Sequence, residues 1–350
     1  MQFIFCVKNQ IPINMNKKLK IKIALVLGTR PEIIRLSEVI KKLKKNVNLI
    51  LIHTNQNYDY NLNNIFFKDL DLPKPNYFFD LKRKKLSDQI SEILVNTEKV
   101  LLKEKPDAFV VLGDTNSALS AYVAKRLKIP IFHIEAGNRS YDPNVPEEIN
   151  RKIVDHLSDI NIVYSALAKE NLIRENFGLD RIFHLGSPLY EVYKKNTKLI
   201  SNSKILKKLN ITKDNYILVS IHRDENLEIK NNFTKVLKLL DFLNKKKEKI
   251  IFSTHPRTQK KIKKKYKNIF FHKPFSYSEY NLLQINAKIV LSDSGSLTEE
   301  SSILKLKSIN LRSTYERQEG MKKGISPMIN FDINKIQNMM DYYERSSRSL

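Results

Sequence analysis

Runs of β-branched and other apolar residues, each closed by a polar turn and most followed by a helical pattern, recur along this chain. They confine it to layered α/β architecture. The first set is KIALVL at 22–27, NLILIHT at 48–54, AFVVL at 108–112, PIFHIEA at 130–136, INIVYS at 160–165 and RIFHLG at 181–186. After a Lys/Asn-rich stretch near 194–210 the pattern restarts with NYILVSI at 215–221, KIIFSTH at 249–255, NIFFH at 268–272, AKIVLSD at 287–293 and KSINLR at 307–312. Between the first two runs, Ile33, Leu36, Ile40 and Leu43 recur at spacings of three and four, which is one face of a helix. Near-continuous apolar runs of this kind are strands buried on both faces, hence parallel. Two sets in 350 residues predict two Rossmann-like domains with parallel sheets facing a central cleft. The expected spans are 20–195 and 196–350, with 1–19 an extension that says nothing about fold. No repeat of solenoid length is visible.

Charge raises a different possibility. Lys and Arg number 62 against 37 Asp and Glu, a formal net charge of +25. The basic runs at 41–45, 82–85, 245–247 and 260–265 are scattered, each beside an amphipathic segment, and no aromatics interleave them as in a strand-binding groove. They read as solvated faces, and no nucleic-acid partner is expected. Cys6 stands alone, so neither an internal disulfide nor a cysteine-based zinc site is available, and a reducing, cytoplasmic compartment fits. No apolar run reaches the roughly 18 residues of a membrane span, so no membrane association is expected. The apolar opening lacks the basic flank and cleavage site of a signal peptide, and Met15 offers a second start.

Glycine is scarce, with 8 in the chain, and Gly28, Gly113, Gly137, Gly186 and Gly295 directly follow or closely trail apolar runs. Ligands bind open α/β sheets at the carboxyl ends of strands, so the polar residues in those turns are the functional candidates. Gly28-Thr29-Arg30-Pro31-Glu32 opens a helix, with Pro31 at its first position. Arg30 there either attracts an anion or pairs with a carboxylate. Asp114, after Gly113, is a general acid or base, or else a helix cap. Glu135 closes the next run, and Glu147 and Glu148 follow Pro146 in a helical first turn, where carboxylates also complement the macrodipole. Three carboxylate sites from one domain can remove and deliver protons on opposite faces of a substrate. In the second half, His222-Arg223 and His255-Pro256-Arg257 place imidazole and guanidinium groups that suit a diphosphate, with His222 also able to move protons. Asp293-Ser294-Gly295-Ser296 leads to Glu299 and Glu300: hydroxyls and bare N–H groups for phosphate, and a carboxylate one turn on for sugar hydroxyls.

Other signals fail. There is no GxGxxG and no GxxxxGK[ST], so neither a dinucleotide cofactor nor a P-loop is expected. Asp69-Leu70-Asp71 matches a metal-binding DxD but falls where a helix ends before Pro73, and His133-Ile134-Glu135 lacks the PCxxC that a zinc deaminase needs. No metal is expected.

The ordered motifs GTRPE, GDT, EAG, PEEINR, HR, HPR and DSG..EE, from about residue 20 to about residue 325, resemble the non-hydrolysing UDP-N-acetylglucosamine 2-epimerase family. The finer wording, HTNQNYDYNLN, GDTNS, HIEAGNR, VPEEINRKIVDHLSDIN, GSPLYEV, STHPRT and DSGSLTEESSIL, is similar to the capsule and O-antigen branch. That branch makes UDP-N-acetyl-L-fucosamine from its 2-epimer. The resemblance implies a GT-B arrangement, elimination and re-addition of UDP, no cofactor, a homodimer and a role in lipopolysaccharide or capsular polysaccharide biosynthesis. It implies catalytic roles for Asp114, Glu135, Glu147 and His222. It implies contacts to substrate or UDP from Arg30, Arg35, Gln56, Arg151, His255, Arg257, Ser294, Gly295, Ser296 and Glu300. It also implies a longer segment after YERQEGM, by about one or two helices. The readings set behind this one are epimerisation of UDP-N-acetylglucosamine itself, a hydrolysing epimerase, a GT-B glycosyltransferase and, last, a nucleic-acid-binding protein.

Overall fold

A computed structural model describes residues 21–56, 60–81, 85–227, 229–254, 256–262, 264–312 and 324–346; at 60–64, 224–225, 256–257 and 260 only the backbone is described. The chain divides into two units, Met1–Lys195 and Asn196–Leu350.

The first unit is built on strands β1 (Lys22–Leu27), β2 (Asn48–His53), β3 (Tyr77–Phe78), β4 (Ala108–Leu112), β5 (Ile131–Ile134), β6 (Ile160–Val163) and β7 (Ile182–His184). They form one sheet in the order β3-β2-β1-β4-β5-β6-β7, and every neighbouring pair is parallel. The helices between them include α1 (Arg30–Asn46), α2 (Tyr60–Asp69), α3 (Leu86–Glu104), α4 (Ala121–Arg126), α5 (Pro146–Leu157), α6 (Ala166–Arg174) and α7 (Leu189–Ser201). In the second unit, β8 (Tyr216–Ser220), β9 (Lys249–Ser253), β10 (Ile269–His272), β11 (Ile289–Ser292) and β12 (Ser308–Asn310) pair, again all parallel, in the order β10-β9-β8-β11-β12.

Both orders reverse direction next to the first strand of the set, between β1 and β4 and between β8 and β11. This is the doubly wound topology, and the reversal opens a crevice at the strand ends. The central strands are buried end to end: Ala108–Leu112 and Tyr216–Ser220 have no exposed residue. Burying one such Val, Leu, Ile or Phe contributes about 1.5–3 kcal/mol, so the cores secure the layers and leave the strand-end loops available for polar chemistry.

Helix α1 shows how the local sequence sets up one of these loops. Ile33, Leu36, Ile40 and Leu43 are all buried, as the spacing predicts. The helix begins at Arg30, so Pro31 is its second residue rather than its first. Gly28 is required by close approach: a Cβ there would lie 2.1 Å from Thr54 Oγ1 and 2.2 Å from Ser117 Oγ. The expected strands are all present: KIALVL and AFVVL keep their bounds, and the others are trimmed by one to three residues at their ends. Strand β3 was not expected. Its two residues pair only with Ile52 and His53, too short a stretch to leave a periodic signal. The DLD segment lies where expected, with α2 ending at Asp69 and Asp71 in a left-handed turn at φ 50°.

Candidate active site

The β1–β4 crevice carries the first cluster. Glu32, in the first turn of α1, is fully buried. Its Oε2 accepts the backbone N–H groups of Gly28 at 2.9 Å and Thr29 at 2.7 Å, and its Oε1 accepts the Thr115 hydroxyl at 3.0 Å. Burial outweighs these hydrogen bonds and pushes its carboxyl up to about 7. The loop after β1 is thereby tied to the loop after β4, where Asp114 sits.

Asp114 is not the cap of the following 3-10 turn, which is Thr115. Its Oδ2 accepts from Arg151 Nε at 3.1 Å and, more closely, from Arg151 Nη2. Asn150 Nδ2 donates to the Asp114 carbonyl at 2.9 Å. Arg151 is itself buried, and its Nη1 donates to Glu148 at 2.8 Å. Glu148 also accepts the backbone N–H and hydroxyl of Ser140. Burial alone would raise the Glu148 carboxyl, but the Ser140 N–H, the Arg151 charge and their hydrogen bonds together hold it below its ordinary value. Of the two glutamates after Pro146, Glu148 turns inward, and Glu147, half-buried in the first turn of α5, is the one on the open side.

Glu135 stands at the end of β5, beside β4, with φ 74°. A non-glycine residue in that region costs about 1–3 kcal/mol and persists only where its surroundings demand it. Its backbone N–H and that of Ala136 both donate to the Ile162 carbonyl. Its carboxylate lies 3.7 Å from Nε of Arg35, whose guanidinium is buried and 5.9 Å from the centre of the Tyr164 ring. Gly137 follows at φ 77°, where a Cβ would meet the Ala168 carbonyl oxygen at 2.3 Å. Arg30 lies over the Phe66 ring at 5.7 Å. Gln56 Oε1 accepts from the Ser117 backbone N–H at 3.2 Å and from its hydroxyl at 3.1 Å.

In the second unit, the β8–β11 crevice is organised by Asp293, which is fully buried. It accepts the backbone N–H groups of His222 and Arg223 and the Asn226 side chain at 2.9–3.2 Å, and it lies 3.2 Å from His222 Nδ1. The imidazole of His222 remains 40 % exposed at the mouth of the crevice. From Asp293 a hydroxyl chain continues: Ser294 Oγ is 2.9 Å from Ser296 Oγ, Ser296 donates to Glu300 Oε1 at 2.7 Å, and Gln284 donates to Glu300 Oε2 at 2.7 Å. Gly295 lies between the two serines. His255 and the side chain of Arg257 lie outside the described residues.

The structure therefore brings Arg35 to Glu135, Arg151 to Asp114, Gln56 to Ser117, and Ser294 and Ser296 to Glu300. Sequence reasoning did not single out Glu32 or Asp155, met His133 only in an incomplete zinc motif, and missed the anchoring role of Asp293. Glu32 had a signal, since Thr29-x-x-Glu32 is a capping box, and Glu32 does receive the Thr29 N–H. The others are recruited by tertiary contact. Among the described residues no group of three or more His, Cys, Asp or Glu is arranged to hold a metal, and no helix is long and apolar enough to cross a membrane.

Two doubly wound parallel sheets with polar strand-end loops at their switch points place the chain in the GT-B-like α/β class. The family model described as UDP-N-acetylglucosamine 2-epimerase matches residues 41–349. The UDP-N-acetylglucosamine 2-epimerase of Methanocaldococcus jannaschii is 39% identical over 329 residues, covering 90% of each chain. A crystal structure of the enzyme from that organism, in complex with UDP-GlcNAc and UDP, matches with a TM-score of 0.86 at 38% identity over 92% of each chain. The UDP-N-acetylglucosamine 2-epimerase structure from Rickettsia bellii matches with the same TM-score at 42% identity, covering 93% of this chain and 88% of that one. A Pseudomonas aeruginosa relative named UDP-2,3-diacetamido-2,3-dideoxy-D-glucuronate 2-epimerase is 31% identical over 88% of each chain. The chain belongs to the UDP-N-acetylglucosamine 2-epimerase family, and it is an isomerase.

Proposed function

We propose that this protein inverts carbon 2 of a UDP-2-acetamido sugar by eliminating and re-adding UDP. The observation that carries this reading is the placement of Asp114 and Glu135 at the ends of neighbouring strands β4 and β5, with Glu147 on the open side of α5. A base removes the proton on carbon 2 while the bond from carbon 1 to the diphosphate oxygen breaks, leaving an unsaturated sugar and UDP. The diphosphate oxygen then re-adds to carbon 1 and a second group delivers a proton to the opposite face of carbon 2. Two faces need two acid–base groups, which the three carboxylates supply. Arg151 fixes Asp114, and Arg35 fixes Glu135. His222, held at its backbone by Asp293, serves the leaving diphosphate. Arg30, Gln56, His255 and Arg257 contact the nucleotide sugar, while Ser294, Gly295, Ser296 and Glu300 take the diphosphate and ribose.

For the sugar, the branch-specific wording from HIEAGNR to DSGSLTEESSIL supports UDP-N-acetyl-L-fucosamine as product, within a cytoplasmic homodimer that feeds surface polysaccharide. The names of the relatives support UDP-N-acetylglucosamine as the second reading, and the Pseudomonas relative is named for a third sugar. Proton NMR in deuterated water, with UDP-N-acetyl-L-fucosamine in one tube and UDP-N-acetylglucosamine in the other, tests both levels. A 2-epimer with deuterium at carbon 2 is expected, and the faster tube names the sugar. Release of free sugar with UDP would instead mark a hydrolysing enzyme.

A further inference from the structure

Behind the strand ends of the first unit lies a polar network, buried except at Glu175, that the proposed chemistry does not use. His133, in the middle of β5, and Asp155, in α5, are both 0% exposed. His133 Nε2 is 2.8 Å from the Gly113 carbonyl oxygen, and Nδ1 is 2.8 Å from Asp155 Oδ1. A carbonyl only accepts, so Nε2 carries the proton toward Gly113. Asp155 accepts the Gly137 N–H at 3.2 Å and Nη1 of Arg139 at 2.7 Å, and Arg139 donates through Nε and Nη2 to Glu175 at 2.7 and 2.6 Å. Burial alone would raise the Asp155 carboxyl, but the close His133 contact together with the Arg139 charge and hydrogen bond holds it below its ordinary value.

Burying several ionisable groups adds little net stability over an apolar core of the same shape. What distinguishes this network is where its hydrogen bonds end. The Gly113 carbonyl belongs to the peptide that enters Asp114. The Gly137 N–H closes the turn that holds Glu135 at positive φ. Asp155 lies one helical turn from Arg151, the partner of Asp114, on α5, the helix that carries Glu147 in its first turn. One imidazole–carboxylate pair thus touches each of the three carboxylate-bearing segments through its backbone or its helix. We propose that His133 and Asp155 are positioning residues that set the relative orientation of Asp114, Glu135 and Glu147, a role that builds on the epimerase reading above.

The test compares His133→Ala, His133→Gln and Asp155→Asn with the unaltered protein, measuring kcat and KM for epimerisation, UDP affinity by calorimetry and cooperative thermal unfolding. The glutamine amide can place an N–H where Nε2–H stands, so it preserves the Gly113 bond. The expected result is a fall in kcat of about 10-fold or more for His133→Ala and Asp155→Asn, with UDP affinity and KM little changed, and partial recovery of kcat in His133→Gln. If His133→Ala does not fold, the nearly isosteric Asp155→Asn and His133→Gln carry the comparison. The proposal is overturned if folded variants keep their kcat, or if kcat, KM and UDP affinity decline together with the native fraction. An unaltered protein that epimerises neither UDP-sugar overturns the functional reading itself, a result distinct from an active enzyme indifferent to these substitutions.

Discussion

Arg151 grips a single oxygen of Asp114. Both Nε and Nη2 aim at Oδ2, and among the described residues Oδ1 has no hydrogen-bond partner. The carboxylate is oriented yet keeps one oxygen open, which suits the base role proposed for it. Asp114→Asn keeps the shape and removes that basicity. Turnover is expected to fall by about 100-fold or more, the range such groups contribute, while UDP affinity by calorimetry persists. Loss of folding together with UDP binding would mark a purely structural aspartate.

Glu32 predicts a pH effect on stability. Its folded value of about 7 lies above the ordinary 4.5 because burial penalises the charge. Between those values the native state holds a proton that the unfolded chain has released, so stability is fully present below about 4.5 and declines as pH rises through 7. The buried shift corresponds to about 3 kcal/mol across the window. Glu32→Gln, which accepts from Gly28 and Thr29 and donates to Thr115, should flatten this decline in denaturant titrations at pH 5 to 8. An unchanged slope would count against the assignment.

Asp293 anchors the second unit's crevice. Asp293→Asn replaces an all-acceptor group facing three N–H donors with one that carries two donors of its own. Thermal unfolding should show a loss of about 1–3 kcal/mol, the cost of a buried donor left unmatched. UDP affinity should weaken as the His222 loop loosens, and unchanged affinity would detach His222 from the nucleotide.

At Gly137 a side chain must overcome both positive φ and the backbone oxygen of Ala168, which cannot move aside as a side-chain tip can. Gly137→Ala should cost about 1–3 kcal/mol or more in chemical denaturation, the scale of an overpacked core. A cost near zero would mean that the turn after Glu135 has an alternative path.

The sequence alone determined the α/β class, the two sets of parallel strands and the loops that carry polar chemistry. Those features follow from local pattern: apolar runs such as AFVVL can only be buried on both faces, and a chain poor in glycine keeps Gly28 and Gly137 where a Cβ has no room. It could not determine which carboxylates pair with which cations. Arg151 and Asp114 are 37 positions apart, Arg35 and Glu135 lie still further apart on separate elements, and no period links either pair. Tertiary structure decided that Glu148 turns inward while Glu147 stays on the open side, that Arg35 faces Glu135, and that Glu32 is buried near neutrality. Strand order does this, because the reversal beside β1 sets the loops after β1 and β4 side by side, and charges then respond to distance and burial rather than to sequence spacing.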